Sequence, residues 1–282
     1  MADLDMPAAR DFGWTLKPVS SSHFEIVEKP NGQVCVVLNH ALLRGVSEEM
    51  LRWWFLHFTT LKVRLRDVPG YDGQVVPAYW LWHPVDHHSA QLSGQTGPGG
   101  TAKPGCNIRI CEAMQYDRYG WRYKVDQMLK VFNVGPNDWA MGRVLPLFGP
   151  VMVLRIQFRD VFDGEAHVGV HYHYEVVIGV RGTGPVSRFI NRRITGNFGS
   201  EFFAAWQRHN VIEVGTFENF LPAIYAQKDA GALDYAPGMA ADVPSPEGQA
   251  GHDAALFARR VEAYRGSDDP HGVQALDAPS FL

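Results

Sequence analysis

Two ionisable side chains occupy a helical stripe that is otherwise apolar. Between about Gly199 and Gln227, the residues Phe202, Trp206, His209, Glu213, Phe217, Phe220 and Ile224 recur at alternating spacings of four and three, the pattern of a single helical face. His209 and Glu213 therefore point inward one turn apart, with Cβ atoms about 5 to 6 Å from each other. A buried carboxylate without a partner is costly or becomes protonated. A hydrogen-bonded core pair would relieve that cost, and so would a metal ion, which uses both side chains.

A second intruding carboxylate supports the metal. Over Cys106 to Met114 the alternation puts Cys106, Ile108, Ile110, Glu112 and Met114 on one face of a strand, so Glu112 interrupts an apolar surface; a salt bridge with an arginine is the plainer alternative. Further donors lie in His83-Pro84-Val85-Asp86-His87-His88, which follows the aromatic run Tyr79-Trp80-Leu81-Trp82. Zinc takes imidazole nitrogen and carboxylate oxygen at about 2.0 to 2.2 Å and keeps a position for water in catalytic sites. His83, Glu112, His209 and Glu213 would give two ligands of each type, with His87 or His88 as substitutes for His83.

The elements around these residues suggest how they are positioned. His23 to Lys29 and Gln33 to Asn39 flank Pro30-Asn31-Gly32, and Val151 to Phe162 and Glu165 to Val180 flank Asp163-Gly164, so two hairpins are expected. Ser47, followed by Glu48 and Glu49, should cap a helix running to about Phe58. Leu92 to Gly105, rich in glycine, reads as a flexible loop able to cover a pocket. In the strand from Glu165, Ala166, Val168, Val170, Tyr172, Tyr174, Val176 and Ile178 share a core-like face. His167, Gly169, His171, His173 and Glu175 share the other, which faces solvent or a cavity. Hairpins followed by one long late helix predict an α+β architecture in which a curved antiparallel sheet wraps the helix around a ligand space.

Composition narrows the function classes. The chain has 282 residues, 46% of them hydrophobic, with 26 basic and 30 acidic residues and a net charge of -4; there is no basic stripe for nucleic acid and no polybasic patch for lipid. Three cysteines, Cys35, Cys106 and Cys111, make neither a disulfide framework nor a thiolate zinc site. With no apolar leader and no long apolar run, a cytoplasmic protein that avoids membranes is expected. We divide the chain into residues 1–65 as an N-terminal hairpin and helix extension, 66–230 as the main domain, and 231–282 as a mostly irregular tail with a helical pattern only at 253–264. A homodimer is left open.

Three segments together resemble a known family: Trp80-Leu81-Trp82-His83-Pro84-Val85-Asp86-His87, the strand Ile108-Arg109-Ile110-Cys111-Glu112, and His209-Asn210-Val211-Ile212-Glu213 followed by Gly215-Thr216-Phe217-Glu218-Asn219-Phe220-Leu221-Pro222. They are similar to the diacetylphloroglucinol hydrolase and phloretin hydrolase family over about residues 75 to 226. That resemblance implies a zinc-dependent hydrolase that cleaves the carbon-carbon bond between a phenolic ring and a ketone carbonyl, on a helix-grip fold like that of the Bet v 1 proteins. It implies His83, Glu112, His209 and Glu213 as zinc ligands and a phenolic ketone as the small-molecule substrate. By the same resemblance, His167 matches the strand histidine and would shuttle a proton to the ring, Asp86 would hold a phenol or orient water, and Tyr79 would lie near the substrate. A helix-grip binding or transport protein, or a zinc hydrolase or lyase acting on another ketone, shares the same cavity and remains an alternative.

Overall fold

The computed structural model describes residues 5–239. In chain order the elements are β1 (His23–Glu28), β2 (Val34–Asn39), β3 (Leu43–Arg44), α1 (Glu48–His57), β4 (Lys62–Leu65), β5 (Val75–Pro77), α2 (Tyr79–Trp82), β6 (His87–Ser93) and β7 (Asn107–Ala113). There follow α3 (Tyr116–Tyr119), β8 (Lys124–Val134), β9 (Asp138–Leu145), β10 (Gly149–Asp163), β11 (Ala166–Ile178), α4 (Pro185–Thr195), α5 (Ser200–Gly215), α6 (Phe217–Tyr225) and β12 (Leu233–Tyr235).

Local chemistry sets the turns. Asn31 Oδ1 accepts from the Gln33 N–H at 3.1 Å, and Gly32 has φ +77°, a conformation that costs glycine little. These residues close the β1–β2 hairpin, whose ladder runs from His23↔Asn39 to Glu28↔Val34. The second expected hairpin joins β10 and β11, which pair from Met152↔Ile178 to Asp163↔Ala166. Ser47 caps α1 by accepting the Met50 N–H on its Oγ.

Among the described residues, the main sheet runs β1-β2-β11-β10-β9-β8-β7-β6, with β3 also paired to β11. All of its pairings are antiparallel. One face of β7 to β11 and the inner face of α5 enclose a cavity of about 270 Å³. This is the helix-grip arrangement: an antiparallel sheet holding a long late helix. The first hairpin is not an appendage, because β2 pairs with β11 from His173↔Asn39 to Ile178↔Val34. The expected boundary after residue 65 therefore cuts through the sheet. A small sheet, β12-β4-β5, ties residues 233–235 to the segment ahead of the cluster of histidines, since β12 lies parallel to β4. Part of the expected irregular tail is thus strand, and the helical pattern at 253–264 lies outside the described residues.

The helix expected over 199–227 is divided into α5 and α6 at Thr216. Thr216 keeps helical dihedrals (φ −66°, ψ −19°), so the inward stripe continues across the division. Its Oγ1 lies 2.7 Å from the Glu213 carbonyl and 2.7 Å from the Trp82 carbonyl, pinning the helix to α2. Behind this joint, Phe217 packs on Trp82 (centroids 5.4 Å apart) and on Trp54 of α1 (5.8 Å), with Phe220 against Trp54 at 5.1 Å. Such aromatic pairs add about 0.5–1.5 kcal/mol each beyond their buried area. The glycine-rich segment after β6 contributes no residue to the cavity wall, so it does not cover the pocket as expected.

Candidate metal centre

Four side chains from three elements meet at one end of the cavity. The ladder of β6 and β7 places His87 directly opposite Glu112, and α5 brings His209 and Glu213 to them one turn apart. His87 Nε2 lies 3.5 Å from Glu112 Oε2 and 3.8 Å from Glu213 Oε1; His209 Nε2 lies 4.0 Å from Glu112 Oε1 and 3.8 Å from Glu213 Oε2. Those separations are too long for hydrogen bonds. They resemble the edges of a metal polyhedron, since ligands about 2.1 Å from one tetrahedral ion stand about 3.4 Å apart.

The hydrogen bonds behind the two imidazoles fix which nitrogen faces the cavity. His87 Nδ1 donates to the Tyr79 carbonyl at 3.0 Å, because a carbonyl can only accept. The lone pair therefore sits on His87 Nε2, which is buried beside two carboxylates and has no hydrogen-bond partner among the described residues. His209 Nδ1 donates to Asp86 Oδ2 at 2.8 Å, turning its Nε2 towards the same point. A lone pair facing carboxylate oxygens is repulsive unless a cation or proton lies between them, so the donor set fits a divalent ion. Carboxylate and backbone partners behind metal-binding histidines serve this orienting purpose. Tyr79 completes the support: its hydroxyl donates to Glu112 Oε2 at 2.7 Å and its ring stacks on His87 with centroids 3.9 Å apart.

Electrostatics without an ion are strained. Burial pushes the Glu213 carboxyl up to about 8 and also raises Glu112. Burial opposes charge on His209, but the hydrogen bond to Asp86 and the charges of Glu112, Asp86 and Glu213 outweigh it and hold the ring at about 9. Burial drives His87 well below the usual histidine range, which keeps its lone pair available.

The structure reassigns several residues. His83 does not join the four: its Nδ1 accepts the Asp86 N–H at 3.0 Å and the Val85 N–H at 3.3 Å, so the ring proton sits on Nε2, 3.2 Å from Asp86 Oδ2. A ring committed on Nδ1 and protonated on Nε2 has no lone pair for a metal; His87, four residues later, takes the position expected of His83. His88 lies aside, with Nδ1 3.0 Å from Ser89 Oγ. Asp86 does not face the cavity. Its carboxylate accepts from His209 Nδ1 and from the Gln115 and Tyr116 N–H groups, both at 2.8 Å. Although burial would raise its pKa, the neighbouring His83 and His209 and these hydrogen bonds hold it below the usual carboxylate range.

His167 also lies outside the cavity. Its Nε2 is 3.0 Å from Asp160 Oδ1 and its ring lies edge-on to Phe162, close to the hairpin turn and past a register shift that leaves Val168 of β11 without a partner across the ladder, and it lines no part of the cavity. The core-like face of that strand is the cavity wall. Burial raises the pKa of its Tyr172 and Tyr174 well above the ordinary value, so both remain neutral hydroxyls. Tyr174 Oη accepts from Trp206 Nε1 at 3.2 Å.

Two supporting residues escaped sequence reading. Asn210 Nδ2 donates to Glu213 Oε2 at 3.1 Å, and Asn210 Oδ1 lies 3.0 Å from His40 Nε2. Asn210 departs from the inward stripe by one position, and His40 lies just past the end of β2, where neither alternation nor spacing marks it.

No family model matches the sequence, and no curated protein matches it. Among solved structures, the chain is similar to protein Ms6760 from Mycobacterium smegmatis (12% identity, 67% of this chain and 94% of that one, TM-score 0.35). It is also similar to Ara h 8.0201 (10% identity, 70% and 98%, TM-score 0.32) and to SA2116 from Staphylococcus aureus, a protein of unknown function (11% identity, 69% and 98%, TM-score 0.31).

Proposed function

We propose that this chain is a zinc-dependent hydrolase that cleaves the bond between a phenolic ring carbon and a ketone carbonyl, releasing a carboxylic acid and the deacylated ring. The observation that carries the reading is the convergence of His87, Glu112, His209 and Glu213 at the end of a cavity whose wall bears the neutral hydroxyls of Tyr172 and Tyr174. The sequence resemblance over residues 75 to 226, which implies three of these four ligands, Glu112, His209 and Glu213, supports the reaction class. A zinc ion held by these four residues would supply Lewis acidity towards the ketone oxygen and lower the pKa of water to about 7.

The chain's own residues do the rest. Asp86 and the Tyr79 carbonyl orient the two imidazoles, and the Tyr79 hydroxyl, committed to Glu112, steadies that carboxylate. The apolar wall, including Leu129, Leu154, Ile156 and Trp206, excludes water from the reacting bond. An aryl carbon leaves only if it is protonated, which phenolic hydroxyls allow through a keto tautomer. With His167 outside the cavity, that proton comes from Tyr172 or Tyr174; Tyr172 Oη has no hydrogen-bond partner among the described residues. A cytoplasmic location and the absence of nucleic-acid and lipid partners remain part of the proposal. Among the described residues no helix is long and apolar enough to cross a membrane.

Native mass spectrometry and turnover of acylphloroglucinols, with phenyl esters as controls, test the reading. One zinc per chain and cleavage of the ketones is the expected result. Activity confined to esters would make the chain a metallo-esterase, and a folded, metal-free, inactive protein would favour a helix-grip binding protein.

A further inference from the structure

The cavity has a second polar end, far from the four metal-binding candidates. On β9, Trp139 and Met141 are buried on the core face, and Arg143, two residues further along the same face, lines the cavity mouth. In register Arg143 stands opposite Met152 of β10, which pairs with Ile178 of β11. That level is four residues beyond Tyr174 on β11, about 13 Å along the strand. The wall between is apolar, formed by Met141, Leu154, Val176 and Ile178.

Arg143 makes no ion pair or hydrogen bond among the described residues. Lys124 also lines the cavity, but it is shared with Asp126 at 3.6 Å and lies over the Trp121 ring. Gln127 adds an amide on the same wall, and the carboxylates lining the cavity are Glu112 and Glu213, at the other end. The cavity is thus apolar in its middle, acidic where it would hold a cation, and cationic at its mouth.

We propose that Arg143 is an anion subsite, and that the substrate is an aryl ketone whose acyl chain ends in a carboxylate. The ketone end rests on the hydrolase reading above; the anionic end rests on Arg143 alone. A single guanidinium fork with one neighbouring amide matches the planar, singly charged carboxylate, whereas a phosphate dianion calls for more positive charge.

Binding can be read without turnover. The probes are two secondary alcohols, reduced forms of a trihydroxyphenyl ketone whose chain of about eight carbons spans the distance to Arg143; one ends in a carboxylate and the other in its methyl ester. Neither carries the ketone that the proposed reaction cleaves, and recovery of the intact ester after each titration checks that it has not been hydrolysed. Calorimetry on the zinc-loaded protein should show the carboxylate binding about tenfold tighter, the size of one charge-assisted pair near solvent, with the preference shrinking as salt rises. Arg143→Gln should bring the ratio close to one, and Arg143→Lys should recover part of it. Equal affinities in the unaltered protein, or a preference that survives Arg143→Gln, would overturn the subsite. Hydrolysis of the parent ketones is scored separately: cleavage without carboxylate preference removes the subsite and spares the hydrolase, and the reverse result removes the hydrolase and spares the subsite.

Discussion

Asp86 Oδ2 lies 2.8 Å from Nδ1 of His209, across 123 residues of sequence, and holds the face of that ring that points away from the cavity. The carboxylate is itself anchored by two backbone N–H groups at the start of α3. Its place is therefore fixed before any ligand arrives. Asp86→Asn should leave the fold intact by circular dichroism and weaken zinc binding by about 10- to 100-fold in competition with a chelator. Unchanged affinity would remove Asp86 from the support of the site.

His83 and His87 make opposite predictions. His87→Ala should abolish stoichiometric zinc, read by elemental analysis of gel-filtered protein, while His83→Ala should retain about one ion per chain because that ring has no free lone pair. Zinc lost from His83→Ala and kept by His87→Ala would restore the ligand set that the sequence resemblance implied.

Loading the site should release protons. His209 titrates at about 9 and Glu213 at about 8, so at pH 7 both carry protons that a metal must displace. Apparent zinc affinity should rise with pH up to about 9, by about tenfold per unit for each proton displaced. Calorimetry in buffers of different ionisation enthalpy counts those protons; release of none at pH 7 would contradict this electrostatic description.

Acid should destabilise the fold partly through His40. Burial lowers this ring from the usual histidine value to about 3, so below about 6.5 the unfolded chain binds a proton that the folded chain refuses. Its contribution is intact above that value and is lost as pH falls towards 3, at about 1.4 kcal/mol per unit. Urea titrations between pH 7 and 4 should show a shallower loss in His40→Asn than in the unaltered protein.

Phe217 is fully buried between Trp54 and Trp82. Phe217→Ala should cost about 3 to 5 kcal/mol in urea unfolding, because the surrounding rings cannot close the gap. A loss below about 1 kcal/mol would place α6 outside the core.

Much of the site was legible because burial leaves a periodic trace. His209 and Glu213 were visible as charges on a helical stripe, and Glu112 as a charge on an alternating strand. The choice between His83 and His87 was not, because it turns on which ring nitrogen the backbone occupies, a fact without a sequence period. A cue existed: His87 opens the strand that pairs with Glu112, whereas His83 sits before a proline in the turn. The orientation of β11 was harder to read, since an apolar cavity wall has the composition of a core. His167 entered through the family resemblance, and the alternation that groups it with His171 and His173 is broken by the register shift in the β10–β11 ladder. The first hairpin was recognised, but its membership of the main sheet depends on a pairing with β11, more than a hundred residues away, that no local pattern announces.

The division of donors between an early strand pair and a late helix bears on synthesis of the chain. His87 and Glu112 emerge together, yet a histidine and a carboxylate alone hold a divalent ion weakly; His209 and Glu213 follow only after β8 to β11 have been made. Tight capture of an ion would have to wait until α5 settles against the sheet. The ion would then act as the clasp that closes the grip, rewarding the completed fold and giving little hold to a half-made one.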